Sequence, residues 1–282
     1  MSTRIRVGPA RFPSRESPEE ALDILLERGY TACEIDFESG FWMDYPFAVR
    51  LGELAREHDI ALSVHAPLFG FMGHLEASGR KFTSAVGALD RSAGIAAACG
   101  AELVVFHPGF LLGRSREGAL DAVVEQLWTL RERLEGRDRA VTFGVEVMGR
   151  VRDLGSLDDV VTISQRTTWV RPVLDFAHMH ATSDGAFLAA EPFTEALHVV
   201  DETLDDEAPF HIHFSDIAFA NRNETKHLPY GEGTLRADPL RDALDAFERP
   251  ATVISESPDE RSSQAIRAVL EGVGASSTRR VS

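Results

Sequence analysis

The sequence predicts a (β/α)8 barrel formed by a single domain. Short apolar segments alternate with amphipathic helical segments along nearly the whole chain, which is the pattern of parallel strands covered by helices. The length of 282 residues suits one barrel of about 250 residues. No linker rich in Pro, Gly or Ser divides the chain. We therefore expect one domain over residues 1–273, followed by a disordered tail over 274–282.

Eight apolar segments are the predicted strands. Most of them are apolar on both faces, as expected of strands that lie between a filled barrel interior and a layer of helices. In chain order they are Ile5–Val7, Ala32–Ile35, Ala61–Val64, Leu103–Phe106, Val141–Val145, Val170–Leu174, Phe210–Phe214 and Ala251–Ile254.

Helical segments lie between these strands, and some carry end signals. Ser17 with Glu20 three residues later is a capping-box pattern, and Gly29 is expected to end the first helix. Further helices are predicted in the segments FAVRLGELAREHDI, REGALDAVVEQLWTLRERLEG, SLDDVVTIS and DERSSQAIRAVLEGV. The regular βα alternation is therefore present from one end of the chain to the other.

Charge and cysteine content restrict the classes of function. The net charge is −16, from 29 basic and 45 acidic residues, and this overall field repels polyanions without excluding a local metal-lined cleft. The two cysteines, Cys33 and Cys99, are too few for a disulfide scaffold. No apolar run is long enough for a signal peptide or a membrane span, so we expect a cytoplasmic protein with no membrane partner.

Side chains that can bind a metal follow six successive predicted strands. In a barrel of this kind the C-terminal strand ends meet at one rim, where chemistry collects. Any one buried histidine has a simple structural explanation, but six consecutive occurrences are much harder to explain that way. Imidazole and carboxylate suit Zn²⁺, Mn²⁺ or Fe²⁺, and the absence of nearby cysteines argues against a structural thiolate zinc site. The candidate metal ligands are His65, His107, Glu146, Asp175, His178, His213, His227 and Glu256.

Several other polar residues are left out of this set. His180 lies two residues from His178 and is expected to be exposed or to support a ligand. His211 is expected to face the helix layer. His58, His74 and His198 are interpreted as structural or surface residues.

The ordered motifs resemble the endonuclease IV branch of the xylose isomerase-like TIM barrels. The motifs are SVHAP, VVFHPG, GVEVMG, LDFAHMHA, HFSD, HLPYGEG and ESP, and they span roughly residues 60 to 260. The resemblance implies a zinc-dependent phosphodiesterase that cuts DNA 5′ to abasic sites with metal-activated water. It also implies a cofactor of two or three divalent ions, zinc in the first place, with manganese or iron as alternatives.

The resemblance further implies a role for each candidate residue. His65, His107 and Glu146 would hold one metal, Glu146 would bridge to a second metal held by Asp175, His213 and Glu256, and His178 and His227 would hold a third. Glu146 and Glu256 would be the catalytic carboxylates, with Glu256 orienting the attacking water.

This chain departs from the family pattern in two places. The family's third metal also takes an Asp two residues before the histidine that corresponds to His227; that position is Thr225 here, and Glu224 beside it is a possible substitute. The loop after the second strand, DFESGFWMDYP, is acidic and lacks the family's DNA-contacting Arg, and Leu68 replaces the family's Tyr after the third strand.

Two other classes of function remain open. A sugar isomerase or epimerase of the same superfamily would need one metal held by Glu146, Asp175, His213 and Glu256, with the two glutamates moving protons beside a carbonyl. A barrel without catalytic activity could bind a sugar or a protein. The four additional imidazoles favour the phosphodiesterase, so the expected substrate is abasic DNA, with a small sugar as the alternative.

Overall fold

A computed structural model describes residues 5–205 and 207–272, and eight parallel strands in this range form a nearly closed barrel. The predicted fold class is confirmed; the predicted disordered tail lies outside the described residues. The order of the barrel strands is β1-β10-β7-β6-β5-β4-β3-β2. Their bounds are β1 Ile5–Pro9, β2 Ala32–Asp36, β3 Ala61–His65, β4 Leu103–Phe106, β5 Phe143–Glu146, β6 Val170–Asp175, β7 Phe210–Phe214 and β10 Ala251–Ser255.

Helices cover the outside of the barrel. They are α1 Pro18–Glu27, α2 Tyr45–Glu57, α3 Arg80–Cys99, α4 Arg116–Glu135, α5 Leu157–Thr167, α6 Phe176–Thr182, α7 Ala190–Asp201, α8 Ala237–Leu244 and α9 Glu260–Leu270. Within the described ranges, no helix combines the length and the apolar character needed to cross a membrane.

The predicted signals at the two ends of α1 are present, although only the Ser17 half of the predicted capping box is formed. The Ser17 side chain accepts a hydrogen bond from the backbone N–H of Glu20 at 3.1 Å, and Gly29, with φ +69°, follows the end of α1. Ser156 begins α5 with a complete capping box, in which Asp159 is the reciprocal partner.

The barrel closes where β1 approaches β2. The backbone N–H of Thr31 donates to the carbonyl of Val7 at 3.0 Å. Gly8 lies at the closest point: a Cβ atom placed there would be 1.9 Å from the carbonyl oxygen of Ala32. Only a residue without a side chain fits at this contact between two backbones.

A two-stranded antiparallel hairpin lies between β7 and α8, where only a loop was expected. It consists of β8 (Asp216–Ala220) and β9 (Asn223–Leu228). Asn221 and Arg222, with φ values of 52° and 61°, form the two-residue turn, in the positive-φ pair that type I′ hairpins require. The hairpin therefore extends from the same end of the barrel at which the candidate ligands were predicted to meet.

Candidate metal centre

The strand ends bring six of the predicted ligands into one group. His65, Glu146 and Asp175 are the last residues of β3, β5 and β6, whereas His107 and Glu256 directly follow β4 and β10, and His213 lies on β7. Ligand atoms of His65, Glu146, His213 and Glu256 all lie within 4.8 Å of one another. The predicted meeting of these side chains is therefore present in the structure; metal binding by them stays a prediction.

Glu146 lies at the centre of this group. Its Oε2 is 3.2 Å from Nε2 of His65 and 3.0 Å from Nε2 of His107. Its Oε1 is 3.2 Å from Nδ1 of His213, which is also 3.2 Å from Oε1 of Glu256. The Glu146 side chain is only 1% exposed. One buried carboxylate thus lies between a pair of imidazoles on one side and an imidazole with a second carboxylate on the other.

Asp175 contributes an oxygen atom without a hydrogen bond. Its Oδ1 accepts from the backbone N–H of His178 at 2.7 Å, but its fully buried Oδ2, 3.2 Å from Nδ1 of His178, has no well-aligned hydrogen bond to any described residue. Ligand atoms of Glu146, Asp175 and His178 form a further close group. A buried carboxylate oxygen without a well-aligned hydrogen bond costs free energy, and a cation would offset that cost. The residues present therefore fit a divalent metal.

His178 begins a second set of ligands, on α6 and the hairpin. Its Nε2 is 2.8 Å from Oε2 of Glu224, and ligand atoms of His178, Glu224 and His227 lie within 4.8 Å of one another. On its other side, Nδ1 of His178 is 2.8 Å from the carbonyl oxygen of Val147. The residue that the sequence suggested as a substitute, Glu224, is therefore beside both histidines.

A register shift in the hairpin explains the orientation of Glu224. Lys226 pairs with Ala218 and Glu224 pairs with Phe219, which leaves Thr225 as an extra residue without a partner. In a regular strand Thr225, two residues from His227, would share its face. The extra residue reverses that alternation, and the carboxylate of Glu224 turns towards His178. Thr225 is exposed, and its hydroxyl donates to the carbonyl of Ala218 at 2.9 Å.

The close packing of acids and imidazoles changes their pKa values. Burial opposes the charge on His213, but the carboxylates of Glu34, Glu256 and Glu146 outweigh it and raise the pKa of His213 well above its usual value. The same balance raises the pKa of His65 to about 10, with Glu146 as its main partner. A raised pKa favours the protonated imidazoles, and a cation that binds one ring nitrogen would displace the proton from that nitrogen.

The pKa values of the two buried carboxylates Glu146 and Asp175 shift in opposite directions. Burial alone would raise the pKa of Glu146, but His213 and His107 hold it well below its usual value. Burial raises the pKa of Asp175 well above its usual value, against the opposing effect of His178. The imidazoles around Glu146 thus favour its charged form, whereas His178, 3.2 Å from Oδ2 of Asp175, offsets the effect of burial on Asp175 only in part.

The structure corrects the expectation for His211. This side chain does not face the helix layer: its Nε2 is 3.2 Å from Oε2 of Glu34, which lies 3.0 Å from His213 through its other oxygen. Residues two apart on a strand share a face, so His211 and His213 both point into the barrel. Two further acidic residues, Glu34 and Glu38, were not among the predicted ligands; ligand atoms of Glu38, His65 and His107 lie within 4.8 Å of one another. Glu34 is the only carboxylate inside the eight predicted strand segments, which is the signal that could have found it.

Other polar residues near the rim have structural partners. The Nε2 atom of His180 is 2.8 Å from the hydroxyl of Thr234, and its Nδ1 accepts from the backbone N–H of Phe187. The buried carboxylate of Asp216 accepts from the backbone N–H groups of Gly231 and Gly233 at 3.1 and 2.7 Å. The acidic residue of HFSD and the glycines of GEG therefore anchor the chain after the hairpin.

A cavity of about 350 Å³ opens beside the centre. Its lining includes His65, His227 and Glu256 of the candidate ligand set. Four of its lining residues are carboxylates: Glu34, Asp36, Glu38 and Glu256. Arg11 is the only arginine or lysine in the lining. A pocket walled by one sign of charge raises the local concentration of the opposite ion, here a cation.

Comparisons with known proteins support the family assignment. A model of the xylose isomerase-like TIM barrel family matches residues 22–275. The protein MJ0133 of Methanocaldococcus jannaschii, described as uncharacterized, is 30% identical over 254 residues, which cover 89% of this chain and 91% of that protein.

Solved structures of proteins named for two different activities have the same fold. Endonuclease IV from Thermus thermophilus is 20% identical with a TM-score of 0.70, over 95% of this chain and 99% of that one. A D-tagatose 3-epimerase-like protein is 20% identical with a TM-score of 0.73, over 95% and 96% of the two chains. These similarities demonstrate the fold, and the sequence match demonstrates the family: the chain belongs to the xylose isomerase-like TIM barrels.

Proposed function

We propose that the protein is a metal-dependent phosphodiesterase of the endonuclease IV type, with two or three divalent ions and abasic-site DNA as substrate. The position of Glu146 carries this proposal. Its two oxygens contact different imidazoles, with His65 and His107 on Oε2 and His213 on Oε1. A carboxylate shared by two metals would present its oxygens in this way, and a site for a single ion would not need both His65 and His107 as ligands.

The protein's own residues would have distinct tasks in the reaction. Divalent ions, with zinc as the first choice and manganese or iron as alternatives, lower the pKa of bound water and stabilise negative charge on phosphate oxygens. Glu146 is enclosed by imidazoles and holds the ligand groups together. Glu256, with a side chain 15% exposed and part of the cavity wall, can orient the attacking water and hold its proton.

A sugar epimerase is the second candidate, favoured by the small acidic cavity. A volume of about 350 Å³ lies in the range of small-molecule sites, and its acidic lining can accept hydrogen bonds from sugar hydroxyls. Glu146 argues against it. An epimerase needs both glutamates to reach the substrate, but both oxygens of Glu146 contact imidazoles and its side chain is 1% exposed.

Metal content and substrate choice test the proposal directly. Protein purified without chelator is expected to contain two or three divalent ions per chain by elemental analysis, and to cleave an abasic-site duplex but leave a panel of ketoses unchanged. His107→Ala should remove one ion and the cleavage activity. The matched control is His58→Ala, because His58 is exposed at the end of α2. One ion per chain together with ketose epimerisation would support the second candidate instead.

The position of Glu224 on the hairpin leads to a separate prediction for the third ion. Glu224→Ala is expected to lower the metal content by one ion per chain, because it removes the carboxylate between His178 and His227. Thr225→Asp should leave the metal content unchanged, since the Thr225 side chain is exposed and the Glu224 carboxylate already occupies the position. Metal content would be measured after mild chelation. A gain of chelator resistance in Thr225→Asp, with no effect of Glu224→Ala, would contradict this assignment.

A further inference from the structure

A second buried carboxylate lies inside the barrel, beside His213. The Glu34 side chain is 0% exposed and lies among Ser63, His211 and His213. A carboxylate inside a barrel is costly unless it is paired, and an aliphatic residue normally fills such a position. Neither the fold nor the proposed reaction requires a charge here, so the contacts of Glu34 must explain its presence.

One oxygen of Glu34 is already engaged by two donors. The Ser63 hydroxyl donates to Oε2 at 2.7 Å, and Nε2 of His211 lies 3.2 Å from the same oxygen. The other oxygen, Oε1, lies 3.0 Å from Nε2 of His213. Neither Oε1 nor this Nε2 has a hydrogen bond to any other described residue, and their own contact is close but not well aligned.

To bind a metal, His213 must have a lone pair on one ring nitrogen and can carry a proton on the other. Its Nδ1 faces the candidate ligands, at 3.2 Å from both Glu146 and Glu256. A neutral imidazole has one N–H and one lone pair, and the partner of one nitrogen determines the state of the other. Acceptors therefore lie beside both nitrogens, Glu146 and Glu256 at Nδ1 and Glu34 at Nε2. When a cation displaces the proton from Nδ1, the acceptor beside Nε2 keeps the remaining proton there.

We propose that Glu34 is a positioning residue that holds the proton of His213 on Nε2 and so presents Nδ1 to the metal. Ser63 and His211 fix the Glu34 carboxylate through its other oxygen. The proposal rests on the proposed function only in requiring that His213 bind a metal. Carboxylate partners of this kind orient metal-bound histidines and strengthen them as ligands.

Glu34→Gln tests this role without a change in volume. The amide oxygen would accept from Ser63 and His211, which leaves the amide NH₂ facing Nε2 of His213. A donor at that position moves the imidazole proton to Nδ1 and blocks metal binding. Titration of the metal-free full chain with Co²⁺, followed by visible absorption, should show one site about 10–100-fold weaker than in the unchanged protein.

Two further variants separate positioning from packing. His211→Asn removes one of the two contacts that fix the other oxygen of Glu34 but keeps the acceptor beside Nε2 of His213, so it should lower the thermal midpoint and weaken Co²⁺ binding less than Glu34→Gln does. Glu34→Asp keeps the charge but not the size, and its Co²⁺ affinity should stay within about tenfold of the unchanged protein. If Glu34 only filled space, the order of Co²⁺ affinities would be reversed: Glu34→Gln would bind Co²⁺ like the unchanged protein, and Glu34→Asp would bind it more weakly.

The outcomes distinguish this proposal from the proposed function. Unchanged Co²⁺ affinity in Glu34→Gln would overturn the role of Glu34, whatever the number of ions bound. If Glu34→Gln does not fold, Glu34→Asp decides: affinity within tenfold supports the role, and a larger loss overturns it. Binding of only one Co²⁺ by the unchanged protein would count against the phosphodiesterase but not against Glu34, since His213 is a ligand under both candidate functions.

Discussion

Replacing Glu146 with glutamine is expected to abolish phosphodiester cleavage and to remove at least two ions per chain. Glutamine has the same shape, so the barrel should remain folded. One of its two terminal atoms is an amide NH₂, which cannot bind a cation and would face an imidazole nitrogen now 3.0 to 3.2 Å from a carboxylate oxygen. We expect activity to fall by more than the roughly 10–100-fold that follows loss of a residue that only orients a ligand. Elemental analysis and a cleavage assay on abasic DNA are the measurements.

Asp216→Asn is the matched control for this substitution. Asp216 is also a fully buried carboxylate near the rim, but it accepts hydrogen bonds from backbone N–H groups after the hairpin. Its replacement should lower the thermal midpoint and leave the metal content unchanged. Retention of two ions per chain by Glu146→Gln would show that Glu146 is not shared between metals.

Gly8→Ala is expected to cause the largest loss of stability of any single methyl addition in the barrel strands. The added Cβ would lie 1.9 Å from the carbonyl oxygen of Ala32 and 2.8 Å from the backbone nitrogen of Cys33. Backbone atoms of a neighbouring strand cannot move aside without separating β1 from β2 where the barrel closes. We expect the free energy of unfolding to fall by about 3 kcal/mol or more, measured by denaturant titration.

Gly87→Ala provides the comparison for that measurement. Gly87 lies inside α3, and a Cβ atom there meets nothing within 4 Å. The same chemical change should therefore raise the free energy of unfolding by about 0.5–1 kcal/mol, because alanine is the better helix former. A loss below about 1 kcal/mol for Gly8→Ala would mean that the two strands can separate easily.

The barrel could be predicted because its strands are unbroken apolar segments. The bounds of β4 and β7 agree with the predicted Leu103–Phe106 and Phe210–Phe214. The fifth strand was predicted from Val141 but begins at Phe143. The hairpin was not predicted, because β9 has the sequence NETKHL and contains no buried residue, so it lacks the apolar alternation by which strands are recognised.

The rim residues could be predicted because barrel topology alone brings strand ends together. Two residues were missed although the sequence carries their signal: His211 is two residues from His213 and so shares its face, and Glu34 is the only carboxylate in the predicted strand segments. One feature depends on a detail that composition and spacing do not reveal. The orientation of Glu224 depends on the extra residue Thr225 in the hairpin, and single-residue register shifts leave no clear pattern in one sequence.

The hairpin has a consequence for how this site can change during evolution. The ligands around Glu146 lie on strands of the barrel or directly after them, so moving them would disturb the closed sheet. Glu224 and His227 lie on a separate two-stranded sheet, whose pairing does not take part in barrel closure. Gain or loss of one residue at Thr225 would exchange the side chain that faces His178 and leave the eight barrel strands untouched. A single short insertion or deletion in the hairpin could thus change the number of ions that the protein binds. The ligands around Glu146 can change position only if the barrel strands change as well.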